Sequence, residues 1–145
     1  MEYLIEFINN KALLISIFAC FIAQVIKIFT GDKLVDLKRI TTSGGMPSSH
    51  TSFVASLSTI VGIVEGFDST NFAISLVFAL IVMYDATGVR RAVGKQAAIL
   101  NQMLNDIQHG KHIKNEELKE LIGHTPFEVL GGAILGIVIA LMFML

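Results

Sequence analysis

Two histidines that stand where apolar segments begin are the residues of this chain best suited to chemistry. His124 precedes Glu128 by four residues, so on a helix the two side chains would share a face. A carboxylate bonded to one imidazole nitrogen fixes the tautomer and leaves the other nitrogen able to attack. His50 ends the stretch Pro-Ser-Ser-His, where it could donate a proton to a leaving oxygen.

The residues around both histidines could instead have purely structural roles. Thr125, Pro126 and Glu128 form a capping-box pattern, with Thr125 as the cap and Pro126 at the first helical position. Capping does not use both carboxylate oxygens, so Glu128 can serve the helix and His124 together. Around His50, the alternative is a serine-capped helix that carries a histidine at the membrane interface.

The loop before His50 has the composition of an anion site. Its glycines let the backbone approach a ligand closely, and the helix that starts at about Pro47 presents free amides there. Ser48 and Ser49 add hydroxyl donors. Further candidate phosphate ligands are cations, namely Arg90 and Arg91 together with Lys33 and Arg39. Their alternative roles are anchoring at the membrane edge or plain solvent exposure.

Asp85 lies five residues before Arg90, near the predicted membrane edge. An unpaired carboxylate there is costly, so we expect it to pair with an arginine or with a lysine of the first loop. His109 and His112 have no further ligands nearby in the sequence, so the pattern does not predict a metal site. The single cysteine, Cys20, excludes a disulfide within the chain.

The distribution of apolar residues predicts an integral membrane protein. Of the 145 residues, 53% are hydrophobic, and they gather in stretches with few charges. The net charge of −1 gives no indication of a nucleic-acid partner. We therefore predict one all-α domain over residues 1–145, an integral membrane four-helix bundle. The predicted membrane helices cover about residues 12–30, 48–66, 71–87 and 126–145, each near the ~17–25 residues that a crossing needs.

Between the last two segments lies a long polar loop, residues 88–125. Apolar residues at helical spacing from Val93 to Ile107 predict an amphipathic helix that extends the third membrane helix to about His109. A second short helix is predicted from Asn115 to Leu121. If the segments cross in turn, ten of the eleven basic residues fall on one side, with Lys11 alone on the other. The positive-inside rule makes that side cytoplasmic, so we expect a multi-pass protein of the cell membrane with its site on the cytoplasmic face.

The motifs resemble those of the type 2 phosphatidic acid phosphatases. Pro47-Ser-Ser-His50 resembles their second signature, usually Pro-Ser-Gly-His, and the stretch from His124 to Glu128 resembles the end of the third. The chain is similar to a divergent branch of that superfamily, whose members carry Gly-Met-Pro-Ser-Ser-His, Asp-x-x-Gly-Val-Arg-Arg and Gly-His-Thr-Pro-x-Glu. All three motifs occur between about residues 30 and 136.

The resemblance implies a role for each residue. His124 resembles the nucleophile that becomes phosphorylated, Glu128 stands where an aspartate orients it, and His50 resembles the general acid. Ser48 matches the serine that binds phosphate, and Ser49 stands in place of the signature glycine. Arg90 or Arg91 would take the role of the third-signature arginine, while Lys33 and Arg39 loosely match the first signature. The family chemistry needs no metal or other cofactor.

The expected function is therefore metal-independent hydrolysis of a lipid phosphomonoester or diphosphate, with the membrane lipid itself as substrate. The alternative is a protein that binds or transports a lipid phosphate without turnover, since a basic, glycine-rich pocket fits that equally well. A third interpretation, a membrane scaffold without a ligand, leaves the gathering of both motifs on one face unexplained. Four helices leave room for a homodimer.

Overall fold

Six helices make up the part of the chain that the computed structural model describes, residues 1–30, 44–108 and 123–145. They are α1 (Glu2–Ile8), α2 (Lys11–Lys27), α3 (Ser49–Glu65), α4 (Thr70–Thr87), α5 (Val89–Gln108) and α6 (Pro126–Met144). No strand occurs within these residues, so the predicted all-α class is confirmed there. The predicted helix from Asn115 to Leu121 lies outside the described residues.

Small polar residues set where the long helices begin. The side chains of Asn10, Ser48, Ser69 and Thr125 each accept a hydrogen bond from a backbone amide in the first turn of the helix that follows. Such caps satisfy amides that have no partner within the helix, and each typically contributes about 1 kcal/mol. The starts of α3 and α6 thus lie directly beside the two candidate motifs.

Helix α3 is the centre of the packed structure, with α2, α4 and α6 all in contact with it. Its tightest neighbour is α6, because Gly132 and Gly136 lie against the α3 backbone. A Cβ at Gly132 would collide with the carbonyl oxygen of Ser48, and one at Gly136 would collide with that of Ser52. The two glycines therefore let α3 and α6 approach at a distance that larger residues exclude.

Three contacts bring helix ends together at one end of this packed group. Lys27, the last residue of α2, reaches Ser49 at the start of α3. The amide of Ser48 donates to the carbonyl of Glu128 in α6, at 2.9 Å. The amide of His124 donates to the carbonyl of Ala86 near the end of α4, also at 2.9 Å. The last turns of α2 and α4 and the first turns of α3 and α6 thus enclose one location.

Two helical stretches are long and apolar enough to cross a membrane, residues 70–105 and Pro126–Met144. The first comprises α4 and most of α5, which are separated at Gly88, where the backbone leaves helical geometry with ψ of −88°. Helices α2 and α3 have 17 residues each, at the short end of what a crossing needs.

Candidate functional site

The side chains of His124 and Glu128 face each other at the entrance to α6. Nδ1 of His124 lies 3.2 Å from Oε2 of Glu128, as the four-residue spacing predicts. The imidazole is buried, with 2% of the side chain exposed, whereas the carboxylate is 22% exposed. An ionised carboxylate only accepts hydrogen bonds, so Nδ1 is the nitrogen that carries the proton in this pair. Nε2 then holds the lone pair of the ring.

Glu128 also completes the predicted capping box. Its Oε2 accepts from the amide of Thr125 at 2.9 Å, while the hydroxyl oxygen of Thr125 accepts from the amide of Glu128 at 3.3 Å. The two roles that the sequence left open therefore coexist, and a single carboxylate oxygen serves both. Because the cap holds Glu128 in place, the orientation of His124 is tied to the start of α6.

Helix α3 places its serines against this pair. Ser48 is fully buried, and its hydroxyl caps α3 by accepting from the hydroxyl of Thr51 at 2.9 Å and from the Thr51 amide at 3.4 Å. The bond from the Ser48 amide to the Glu128 carbonyl joins the two motifs directly. The sequence predicted both serines as anion ligands. The structure buries both, with Ser48 bonded through its amide to α6 and the Ser49 hydroxyl bonded to Lys27 of α2.

Lys27 is the residue of this location that the sequence reasoning missed. It has no solvent exposure, and its Nζ donates to the hydroxyl of Ser49 at 3.3 Å. In the sequence, Lys27 is one of the ten basic residues whose side predicts the orientation in the membrane. A signal was present, because Ser16, Ala23 and Lys27 follow each other at helical spacing and mark the inward side of α2.

The remaining predicted site residues lie around the pair. His50 is exposed on the first turn of α3, and Asp85 is half-buried on the last turn of α4. Arg90 and Arg91 occupy the first turn of α5, but their side chains fall outside the described part of the structure. Lys33 and Arg39 lie outside the described residues altogether. The structure therefore brings together His124, Glu128, Ser48 and Ser49, with Lys27 in addition.

Comparison with known proteins agrees with the motifs at this location. A family model described as the divergent PAP2 family matches residues 8–139, which include every residue of the candidate site. The chain belongs to the divergent PAP2 family. The resemblance drawn from the three motifs is thus confirmed.

A relative of similar length supports this assignment. The chain is 41% identical over 150 aligned positions to the uncharacterized membrane protein YuiD of Bacillus subtilis (strain 168). The alignment covers 94% of this chain and 95% of YuiD. No solved structure matches the chain. The relative is a membrane protein, and this chain has two helical stretches apolar enough to cross a membrane.

Proposed function

We propose that this protein hydrolyses a lipid phosphomonoester or diphosphate without a metal ion, through a phosphohistidine formed on His124. The observation that carries the proposal is the buried imidazole of His124, 3.2 Å from the partly buried carboxylate of Glu128 and beside the buried ammonium group of Lys27. An oriented imidazole next to a fixed cation suits the transfer of a negatively charged phosphoryl group.

His124 has the arrangement of a nucleophile. With its Nδ1 proton held by Glu128, the lone pair of Nε2 attacks phosphorus and forms the nitrogen–phosphorus bond. The bond between phosphorus and the leaving oxygen breaks at the same time. Glu128 stabilises the positive charge that the imidazole acquires, as a carboxylate does when it orients a catalytic histidine.

His50 would supply the proton that the leaving alkoxide needs. It lies on the first turn of α3, whose start is bonded to Glu128 of α6 through the backbone. In the second step a water molecule gives a proton to His50 while its oxygen attacks phosphorus, and the nitrogen–phosphorus bond to His124 breaks. Inorganic phosphate then leaves, and His124 returns to its initial state.

Lys27 would neutralise charge on the phosphoryl oxygens. The Lys27 ammonium group donates to the Ser49 hydroxyl, and an anion that it meets, such as a phosphoryl oxygen, offsets the cost of its burial. The start of α3 adds its amides and the positive end of the helix dipole. Arg90 or Arg91, in the first turn of α5, would neutralise further negative charge on the phosphoryl oxygens. Lys33 and Arg39 would contribute to this neutralisation.

The membrane would supply the substrate. In the proposed arrangement α2, α3, α4 and α6 all cross the membrane, and the site lies at its cytoplasmic face because the basic residues collect there. Catalytic residues at the ends of membrane helices lie at the depth of lipid headgroups. A phosphate on a membrane lipid is therefore the substrate that reaches them most directly.

Phosphate release by the purified protein tests this function. The protein in detergent is given a panel of lipid phosphates, namely phosphatidic acid, phosphatidylglycerol phosphate and a polyprenyl diphosphate, with EDTA present throughout. We expect EDTA-resistant phosphate release from at least one of them, and His124→Ala should abolish it.

Two results of this assay would contradict the proposed hydrolysis. If no lipid phosphate is hydrolysed but one binds, and binding survives His124→Ala, the protein is a lipid-phosphate binder or transporter and the catalytic proposal is wrong. Release that continues in His124→Ala would equally exclude the phosphohistidine mechanism.

A further inference from the structure

Helix α5 carries an exposed apolar stripe that the described helices leave uncovered. Val93, Leu100, Leu104 and Ile107 are 43%, 49%, 37% and 71% exposed. Their spacings of seven, four and three residues place them along one side of the helix. Ile99 and Met103 lie beside the stripe and are more than half exposed.

The other two sides of α5 have different chemistry. Gly94, Ala97 and Asn101 form a side that is buried in the protein. Lys95 and Gln102, seven residues apart, are exposed on the side opposite the apolar stripe. The helix therefore has a side packed into the protein, an exposed apolar side and an exposed polar side. An exposed apolar side next to a polar one is typical of helices that lie in a membrane interface.

The position of α5 in the chain places this stripe near a membrane surface. The 18 residues of α4 span about 27 Å, close to the ~30 Å thickness of the hydrocarbon core. If α4 crosses the membrane, α5 therefore begins where the hydrocarbon ends. Gly88 separates the two helices with φ of −98° and ψ of −88°, so the chain can change direction there.

We propose that α5 lies along the membrane surface, with its apolar stripe inserted between lipid headgroups and acyl chains. The partner is the lipid leaflet on the side of the candidate site, because that is where α4 ends and α5 begins. Such helices insert their apolar side by about 5–10 Å. The first turn of α5 carries Arg90 and Arg91, whose charges favour an anionic leaflet.

This inference depends on the crossing of the membrane by α4, which is part of the proposed topology, and is independent of catalysis. The surface of α4 is apolar along most of its exposed length, including Val77 and Ile81 at 55% and 61% exposure. The stripe of α5 thus continues a surface that would already face lipid. A lipid leaflet covers both without a second protein.

Tryptophan fluorescence tests the position of α5, because the natural chain contains no tryptophan. Three single-tryptophan variants of the full chain are prepared: Leu104→Trp on the stripe, Gln102→Trp on the polar side and Ile81→Trp on α4. Each is placed in vesicles of phosphatidylcholine and phosphatidylglycerol, with and without bromine on the acyl chains. If Leu104→Trp does not fold, as judged by gel filtration, Leu100→Trp replaces it.

We expect brominated chains to quench Leu104→Trp and Ile81→Trp severalfold more than Gln102→Trp. Aqueous iodide should quench mainly Gln102→Trp. Quenching of Leu104→Trp by iodide and not by brominated lipid would overturn the proposal. So would shielding of Leu104→Trp from both quenchers, which would mean that protein, such as a second copy, covers the stripe. If brominated lipid does not quench Ile81→Trp, α4 does not cross the membrane and the proposal for α5 is wrong as well. The hydrolysis assay tests the proposed function separately.

Discussion

Helices α4 and α6 are similarly apolar, but they contribute to the molecule in different ways. Helix α6 buries Gly132 and Gly136 against the backbone of α3 and carries the His124–Glu128 pair at its entrance. Of the described residues of α4, Ala79 and Ala86 are buried, and the carbonyl of Ala86 accepts from the His124 amide at the site. Both helices belong to stretches that are long and apolar enough to cross a membrane. Small and polar residues distinguish the helix that builds the site from the helix that mostly faces outward.

The largest difference between the two helices should be in activity. His124→Ala removes the proposed nucleophile and should lower phosphate release by about 10⁴-fold or more. Tyr84→Ala, at an exposed position near the end of α4, should leave the rate close to that of the natural protein. Both rates are measured on detergent-purified, monodisperse protein. Equal losses in the two variants would remove the functional contrast between α6 and α4.

The two roles of Glu128 can be separated by a pair of variants. Glu128→Gln keeps an oxygen that accepts from the Thr125 amide, but it removes the charge that orients and stabilises His124. We expect the rate to fall by about 10²–10⁴-fold, with little change in thermal stability. Thr125→Ala should instead cost about 1 kcal/mol of stability and leave most of the activity. A Glu128→Gln variant that unfolds at lower temperature with an unchanged rate would leave Glu128 only its capping role.

Lys27 should show opposite effects on activity and stability. Lys27→Met removes the buried cation and should lower kcat/KM by about 10²–10³-fold. Because burial of an ammonium group is costly, the same change should leave thermal stability unchanged or raised. Lys11→Met, at the exposed start of α2 away from the site, is the matched control. A loss of stability that parallels the loss of activity would indicate that Lys27 is structural.

The last contrast between the two helices concerns the packing of α6. Gly136→Ala places a methyl group against the Ser52 carbonyl and should destabilise the protein by about 1–3 kcal/mol. Ala73→Leu, at an exposed position of α4, should change stability by much less. Thermal unfolding in detergent measures both variants. Similar stability for the two would mean that the α3–α6 contact adjusts to the methyl group, and the contrast with α4 would be weaker than the structure indicates.

The start of α6 shows how much of the site could be read from the sequence. Thr125, Pro126 and Glu128 predicted the capping box, and the His124–Glu128 spacing predicted the pair, because both depend on contacts within one helical turn. The sequence could not tell that one oxygen of Glu128 serves both. It also could not reveal the backbone bond from Ser48 to Glu128, which requires α3 and α6 to be packed together.

Lys27 shows why the remainder was not predictable. A lysine near the end of an apolar segment most often extends to the membrane surface, and the helical spacing of Ser16, Ala23 and Lys27 marks an inward side of α2 without showing that the ammonium group is buried. Its burial depends on the start of α3, which is 22 residues further along the chain and supplies Ser49. The contact made by the glycines of α6 was unpredictable for the same reason. Their spacing predicts close helix packing, but it does not identify α3 as the partner helix.

Direct detection of the covalent intermediate tests the central claim. The purified protein is mixed with a radiolabelled lipid phosphate that it hydrolyses, quenched in alkali, in which phosphohistidine survives, and digested for mass spectrometry. The account predicts label on the peptide that contains His124, and none in His124→Ala. Turnover without label on His124, or label on another residue, would contradict it.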